Sequence, residues 1–213
     1  MFKFNKFPDV VKIGIWGPPG SGKTTYMIML QFADDRGGWK IKPLGSETQE
    51  IYLEGTDRMR DKLEFVEPTP REVKYLTFDF EGPVGGFFQR NRTFRVIIPE
   101  APGEFYEKPE KEPELVDEMS RYQGILWLID PEQIDNPPKI PDRRSYRRMI
   151  QQWLYELYER QGSKGDLNHY MAFCLTKMDL PNHYHGIDNP KDYCLDKLGE
   201  DVQMFLETFC DLD

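Results

Sequence analysis

Apolar residues in this chain come in short runs separated by polar and glycine- or proline-rich breaks. Val10-Val11-Lys12-Ile13-Gly14-Ile15-Trp16 has strand character, and residues 24–32 (TTYMIMLQF), after a glycine-rich break, are apolar, free of breakers and helical. Residues 73–80 (VKYLTFDF) carry the aromatic and β-branched content and partial alternation of a strand. The turn-rich Gly82-Pro83-Val84-Gly85-Gly86 connects them to a second strand, Arg92-Thr93-Phe94-Arg95-Val96-Ile97-Ile98-Pro99, so the two are expected to pair antiparallel. Two later runs read as buried strands, residues 125–129 leading into Asp130-Pro131 and residues 170–175 (YMAFCL). A helix is predicted over roughly 48–64. An amphipathic one is predicted over 142–161, with Asp142 as N-cap and Met149, Ile150, Trp153 and Leu157 facing a core.

At 213 residues, with no linker or composition break, the chain is read as one α/β domain spanning 1–213. The net charge of −9 argues against a nucleic-acid surface, which needs clustered Lys and Arg. No window approaches the roughly 18 apolar residues of a membrane span, and the N-terminus lacks a signal-peptide core, so a cytoplasmic protein is expected. Cys174, Cys194 and Cys210 are odd in number and widely spaced, as reduced thiols would be. His183 and His185 near Cys194 match no familiar zinc spacing.

The break at residues 17–24 carries the strongest chemical signal. Gly17-Pro18-Pro19-Gly20-Ser21-Gly22-Lys23-Thr24 fits the G-x-x-x-x-G-K-[ST] phosphate-binding loop, and it lies between a strand and a helix as that loop requires. Glycines let the backbone curl so that successive N–H groups face the α- and β-phosphates, and the helix start adds partial positive charge. Lys23 is expected to reach the β- and γ-phosphates and Thr24 to ligate Mg²⁺, with Thr25 completing the nucleotide-contacting stretch.

A second motif follows the last apolar strand. Thr176-Lys177-Met178-Asp179 resembles the [NT]-K-x-D base-recognition motif of GTPases. One carboxylate there accepts both N1–H and the exocyclic amine of guanine, a donor pair that adenine lacks. On this resemblance Lys177 would lay its stem across the base and brace the phosphate loop, and Thr176 would tie the strand end to that loop. Glu100-Ala101-Pro102-Gly103-Glu104, after the strand ending at Pro99, is similar to the GTPase D-x-x-G motif with Glu100 in place of Asp. It implies a metal-sensing Glu100 and a γ-phosphate contact at the Gly103 N–H. Thr69 in Glu67-Pro68-Thr69-Pro70, just before the antiparallel strand, is the candidate switch threonine closing over Mg²⁺.

In this order the motifs resemble the Ras-like division of P-loop GTPases over about residues 10–180, with an insertion over about 33–66. The Gly37-Gly38-Trp39 segment, the long first switch, and the Pro-Gly-Glu and Ile-Asp-Pro signatures resemble the bacterial GTPase-like domains of multi-component conflict and defence systems. The resemblance implies a three-layer α/β sandwich, a mostly parallel sheet with one antiparallel edge strand, and nucleotide at the carboxyl ends of the parallel strands. It implies GTP or GDP with Mg²⁺, and a catalytic set of Lys23, Thr69, Gly103 and Glu104. Glu104 stands where a water-orienting Gln is usual. A carboxylate there is repelled by the γ-phosphate, so slow intrinsic hydrolysis is expected, with a protein effector or activating partner. The chain stops at Asp213, so the family's final strand and helix are expected to be missing, the chain being a fragment or its sheet edge completed by a partner.

Residues 104–117 (EFYEKPEKEPELVD), acidic and proline-rich, read as a second switch that is mobile without a partner, or as a solvated loop. Arg143, Arg144, Arg147 and Arg148 form a basic patch, read as a solvated face or a contact for an acidic partner. Two alternatives stand beside the GTPase reading. One is an AAA-type ATPase, with Asp130 or Glu132 as its metal-site carboxylates; the other is a pseudo-GTPase acting only through protein contacts.

Overall fold

The computed structural model describes residues 10–30, 38–61, 73–84, 90–137, 139, 144–162, 167–178 and 189–209. Among these are six strands and seven α-helices. The chain divides into two compact units, residues 1–15 with 23–101, and residues 16–22 with 102–213.

The first unit is built on a long hairpin. Strand β3 (Lys74–Val84) pairs antiparallel with β4 (Arg90–Glu100), from Lys74 opposite Glu100 to Val84 opposite Arg90. The period of two that buries Val96 and Ile98 also turns Glu100 to the core face, where it is 3% exposed. On its other edge β4 runs parallel to β1 (Val10–Trp16), whose residues up to Ile15 belong to this unit. Beyond β3 lies β2 (Lys40–Leu44), antiparallel to it. The strand order is therefore β2-β3-β4-β1. Of these four, β3 alone runs against the others, and β2, drawn from the expected insertion, covers its outer edge.

Helix α1 (Lys23–Met29) packs on α2 (Ser46–Asp61), and α2 lies on β2 and β3. Buried Thr48 of α2 accepts the Thr77 N–H at 3.1 Å, while the rings of Tyr52 and Phe78 lie 5.9 Å apart. These contacts join α2 to the hairpin.

In the second unit β5 (Gly124–Ile129) pairs parallel with β6 (Tyr170–Leu175). Around them stand α3 (Pro113–Met119), the short α4 (Pro131–Asp135), α5 (Tyr146–Arg160), α6 (Pro190–Leu198) and α7 (Glu200–Phe209). Two helices thus follow β6. Helix α5 buries Tyr146, Met149, Ile150, Trp153, Leu154 and Leu157, one continuous stripe at helical spacing. Its N-cap is Ser145, whose Oγ accepts the Arg148 N–H, so the helix begins later than an Asp142 cap implies.

An aromatic core fills this unit. Trp16 lies tilted against Trp127 (5.0 Å between centroids) and meets Tyr146 and Tyr106 edge-on, and Tyr106 in turn contacts Trp153. All three tryptophans are fully buried. Each such side chain contributes about 1.5–3 kcal/mol through area withdrawn from water.

The acidic stretch after Glu104 departs from the mobile or solvated loop expected of it. It folds as 3-10 turns over Gly103–Tyr106 and Pro109–Lys111 and then as α3, burying Tyr106, Pro109, Leu115, Val116 and Met119. The Trp153 indole N–H donates to the Tyr106 carbonyl at 2.9 Å. Much of the expected basic patch is consumed within the unit. Arg144 makes a two-pronged bond to Glu110, at 2.6 and 2.9 Å, and holds that carboxyl below its usual range, while Arg147 donates to the carbonyls of Lys197 and Asp196 near the end of α6. Arg143 lies outside the described residues. Cys174 and Cys194 are free thiols, and burial, with Cys174 nearby, pushes Cys194 up to about 11.

Candidate functional site

The boundary between the two units divides the phosphate-loop sequence after Gly22. In the second unit the loop leaves buried Trp16 and turns at Pro18, whose carbonyl accepts the Ser21 N–H at 3.2 Å. Gly20 (φ 75) and Gly22 (φ 92) both take left-handed backbone, the conformation that curls successive peptide groups into an anion-binding nest. The Ser21 side chain is fully buried, and its hydroxyl has no hydrogen-bond partner among the described residues.

Gly103 lies directly against this loop. A Cβ at that position would come within 2.3 Å of the Pro19 nitrogen and 2.8 Å of the Pro18 carbonyl carbon, backbone atoms that cannot swing aside. No side chain fits there. The neighbouring Glu104 is exposed, its backbone in the first 3-10 turn.

In the first unit Lys23 opens α1 and is 7% exposed, and Thr24 and Thr25 follow it. The Thr24 hydroxyl donates to Oε1 of Glu100 at 2.7 Å. A helix start and a strand end thus place a hydroxyl and a carboxylate together, both hard oxygen donors of the kind Mg²⁺ takes. The longer Glu reaches the threonine despite its extra methylene. In the second unit the left-handed glycines and the orphaned Ser21 hydroxyl suit an anionic phosphate, and in the first unit the Thr24–Glu100 pair suits a hard cation such as Mg²⁺.

The rest of the second unit's half gathers at the carboxyl ends of β5 and β6. Thr176 returns its N–H (2.8 Å) and its hydroxyl (3.2 Å) to the Ile129 carbonyl, fixing the turn after β6 to the end of β5. Lys177 holds left-handed backbone (φ 56), uncommon for a residue with a side chain. Its ammonium donates to Asp130 Oδ2 at 2.7 Å. Asp130 is fully buried and caps α4 through the Glu132 N–H at 3.1 Å. Gln133 Nε2 donates both to Asp130 Oδ2 (2.9 Å) and to the Pro19 carbonyl (3.0 Å), while the Tyr146 hydroxyl bridges the Leu128 carbonyl and the Asp130 N–H.

The structure therefore gathers Lys23, Thr24 and Glu100 in one unit, and Gly17 to Gly22, Gly103, Thr176 and Lys177 in the other. Thr69, Asp179, His183 and His185 lie outside the described residues. Gln133 and Tyr146 escaped the sequence reading. For Gln133 there was a signal, since Asp130-Pro131-Glu132-Gln133 has an N-cap Asp, a first-turn proline and a Gln three residues on, the spacing of a capping box.

A profile of the protein family described as Double-GTPase 2 matches residues 11–208. Comparison with curated proteins gives no match. No helix among the described residues is long and apolar enough to cross a membrane.

Proposed function

This chain belongs to the Double-GTPase 2 family, a GTPase domain family of the kind found in conflict systems with an α/β P-loop fold, and we propose that it is a Mg²⁺-dependent guanine-nucleotide switch with slow intrinsic GTP hydrolysis. The observation that carries this is the Thr24 hydroxyl on the Glu100 carboxylate at 2.7 Å. A bound Mg²⁺ would be held by these two groups, with Thr69 joining in the triphosphate state, and would neutralise charge on the β- and γ-phosphates. Lys23 would supply a second positive charge to the same oxygens, and the loop from Gly17 to Gly22 would donate its backbone N–H groups. Asp179 would select guanine through the paired donors that adenine lacks.

Hydrolysis is proposed to be slow because Glu104 is exposed and negative where a neutral water-orienting group is wanted. A protein partner supplying an arginine or orienting the water would accelerate it by about 10³ to 10⁵. Cytoplasmic action through such a partner, without nucleic acid, is part of the proposal and suits the charge of −9. So is a single domain spanning 1–213, since the phosphate-loop motif runs unbroken through Gly22 and Lys23.

What weighs against an AAA-type ATPase is the state of its candidate carboxylates. Asp130 is occupied by Lys177, Gln133 and the Glu132 N–H, and the Glu132 side chain accepts from Asn136 at 2.8 Å. Hydrogen exchange on the GDP form and on a form with non-hydrolysable GTP tests the switch. Stronger protection at residues 66–72 and 100–106 with the triphosphate is expected. Identical protection in the two forms would instead favour a non-hydrolysing interaction module.

A further inference from the structure

The amide nitrogen of Gln133 donates to two acceptors, the buried carboxylate of Asp130 and the carbonyl of Pro19. A primary amide nitrogen has two hydrogens, so both are spent and the amide orientation is forced. Turned over, it would set its oxygen against two other acceptors. The Pro19 carbonyl and the Gly20 N–H belong to one planar peptide group and point to opposite sides of it. Pinning the carbonyl toward Gln133 therefore directs a phosphate-loop N–H the other way, at the point where Gly20 enters left-handed backbone.

The carboxylate that holds Gln133 also holds Lys177. Asp130 Oδ2 takes the Lys177 ammonium at 2.7 Å and the Gln133 amide at 2.9 Å, so both donors share one oxygen. Lys177 is held in left-handed backbone, a conformation that persists only when its surroundings over-determine it, and the buried anion supplies that restraint. We infer that Asp130 and Gln133 are positioning residues that couple the Lys177 turn to the peptide orientation of the phosphate loop. The inference rests on the proposed role of that turn in recognising guanine. A shift of Lys177 as the base binds changes the charge that Asp130 shares with Gln133, and so the grip on Pro19.

A double-mutant cycle on the full chain tests this. Dissociation constants for GDP and inosine diphosphate, with Mg²⁺, would be measured calorimetrically for wild type, Gln133→Met, Lys177→Ala and the double variant. Methionine keeps the length and volume of glutamine without its donors. Gln133→Met should weaken both nucleotides about tenfold, the size of one lost hydrogen bond to a charged group, and leave their ratio unchanged. The double variant should bind no worse than the weaker single within about threefold, because each single already breaks the shared link. Gln133→Glu, which sets a second carboxylate beside Asp130 and the Pro19 carbonyl, should bind worse than Gln133→Met. Wild-type affinity in Gln133→Met, or additive losses in the double variant, would overturn the coupling. Failure of the guanine reading looks different: wild type would bind ADP as well as GDP, while Gln133→Met would still weaken both.

Discussion

Two acidic side chains stand at the ends of two strands of this chain, each parallel to a neighbour in its own unit, and meet different fates. Glu100 ends β4 and Asp130 follows β5, and both are withdrawn from water, at 3% and 0% exposure. Asp130 is neutralised by an ammonium, accepts a side-chain amide and caps a helix. Glu100 accepts a threonine hydroxyl. A hydroxyl carries no charge and can share a cation with the carboxylate it touches, whereas an ammonium competes with any cation for the same oxygen. Burial alone thus does not single out Glu100 for the proposed metal role; the hydroxyl it touches is what supports that proposal.

Removing each carboxylate separates the two cases. Asp130→Ala leaves the Lys177 ammonium, the Gln133 amide and the first N–H of α4 without their acceptor. The expected cost is about 3 kcal/mol of folding stability, the low end for a broken buried pair because Lys177 is 40% exposed and can turn to water. Chemical denaturation with and without Mg²⁺ would show it equally in both conditions. Glu100→Gln keeps the shape and a hydrogen-bonding group, so stability should change by less than about 1 kcal/mol. In that variant Mg²⁺ should lose its influence on GTP binding, with GTP affinity falling about tenfold or more and GDP affinity far less. Unaltered metal dependence in Glu100→Gln would move the metal site to Asp130 and reverse the comparison.

A smaller effect concerns pH. Buried His169 donates from Nε2 to the Met119 carbonyl and accepts at Nδ1 from the Gln161 amide, whose own oxygen takes the Asn168 N–H. These partners require the neutral ring. Burial lowers its affinity for a proton, outweighing the carbonyl bonds to Met119 and Ser120 that favour the charged form. With the folded value below the unfolded one, about 6.5, protonation favours the unfolded chain. The contribution is complete above that pH and is lost as pH falls toward the depressed folded value. Denaturation at pH 7.5 and 5.5 should show a loss that is reduced in His169→Gln.

Much of the site was legible because it rests on local rules. The glycine spacing of residues 17–24 declares a loop whose φ values only glycine takes easily, and alternation along β4 puts Glu100 on the core face with Val96 and Ile98. Strand β2 was harder to see. Lys40 to Leu44 contains a proline and two lysines, and it is a strand because it pairs with β3 far along the chain, with Lys42 reaching Glu81 at 3.1 Å. Residues 104–117 looked solvated because their charges dominate the composition, yet Tyr106, Leu115 and Val116 between those charges are spaced to be buried together. Gln133 acts through the Pro19 carbonyl, and a contact between positions so distant in sequence leaves no periodic trace.

The chain is proposed to bind guanine nucleotides through Mg²⁺ and the phosphate loop. The most direct test is a titration of fluorescent GTP and ATP analogues into the full chain with Mg²⁺, with Lys23→Ala alongside. A preference for GTP of about 10² or more is expected, since a site built to pair with specific donors strongly rejects a base lacking them. Lys23→Ala should lose triphosphate binding. Equal or tighter binding of ATP, or wild-type GTP affinity in Lys23→Ala, would contradict the proposal.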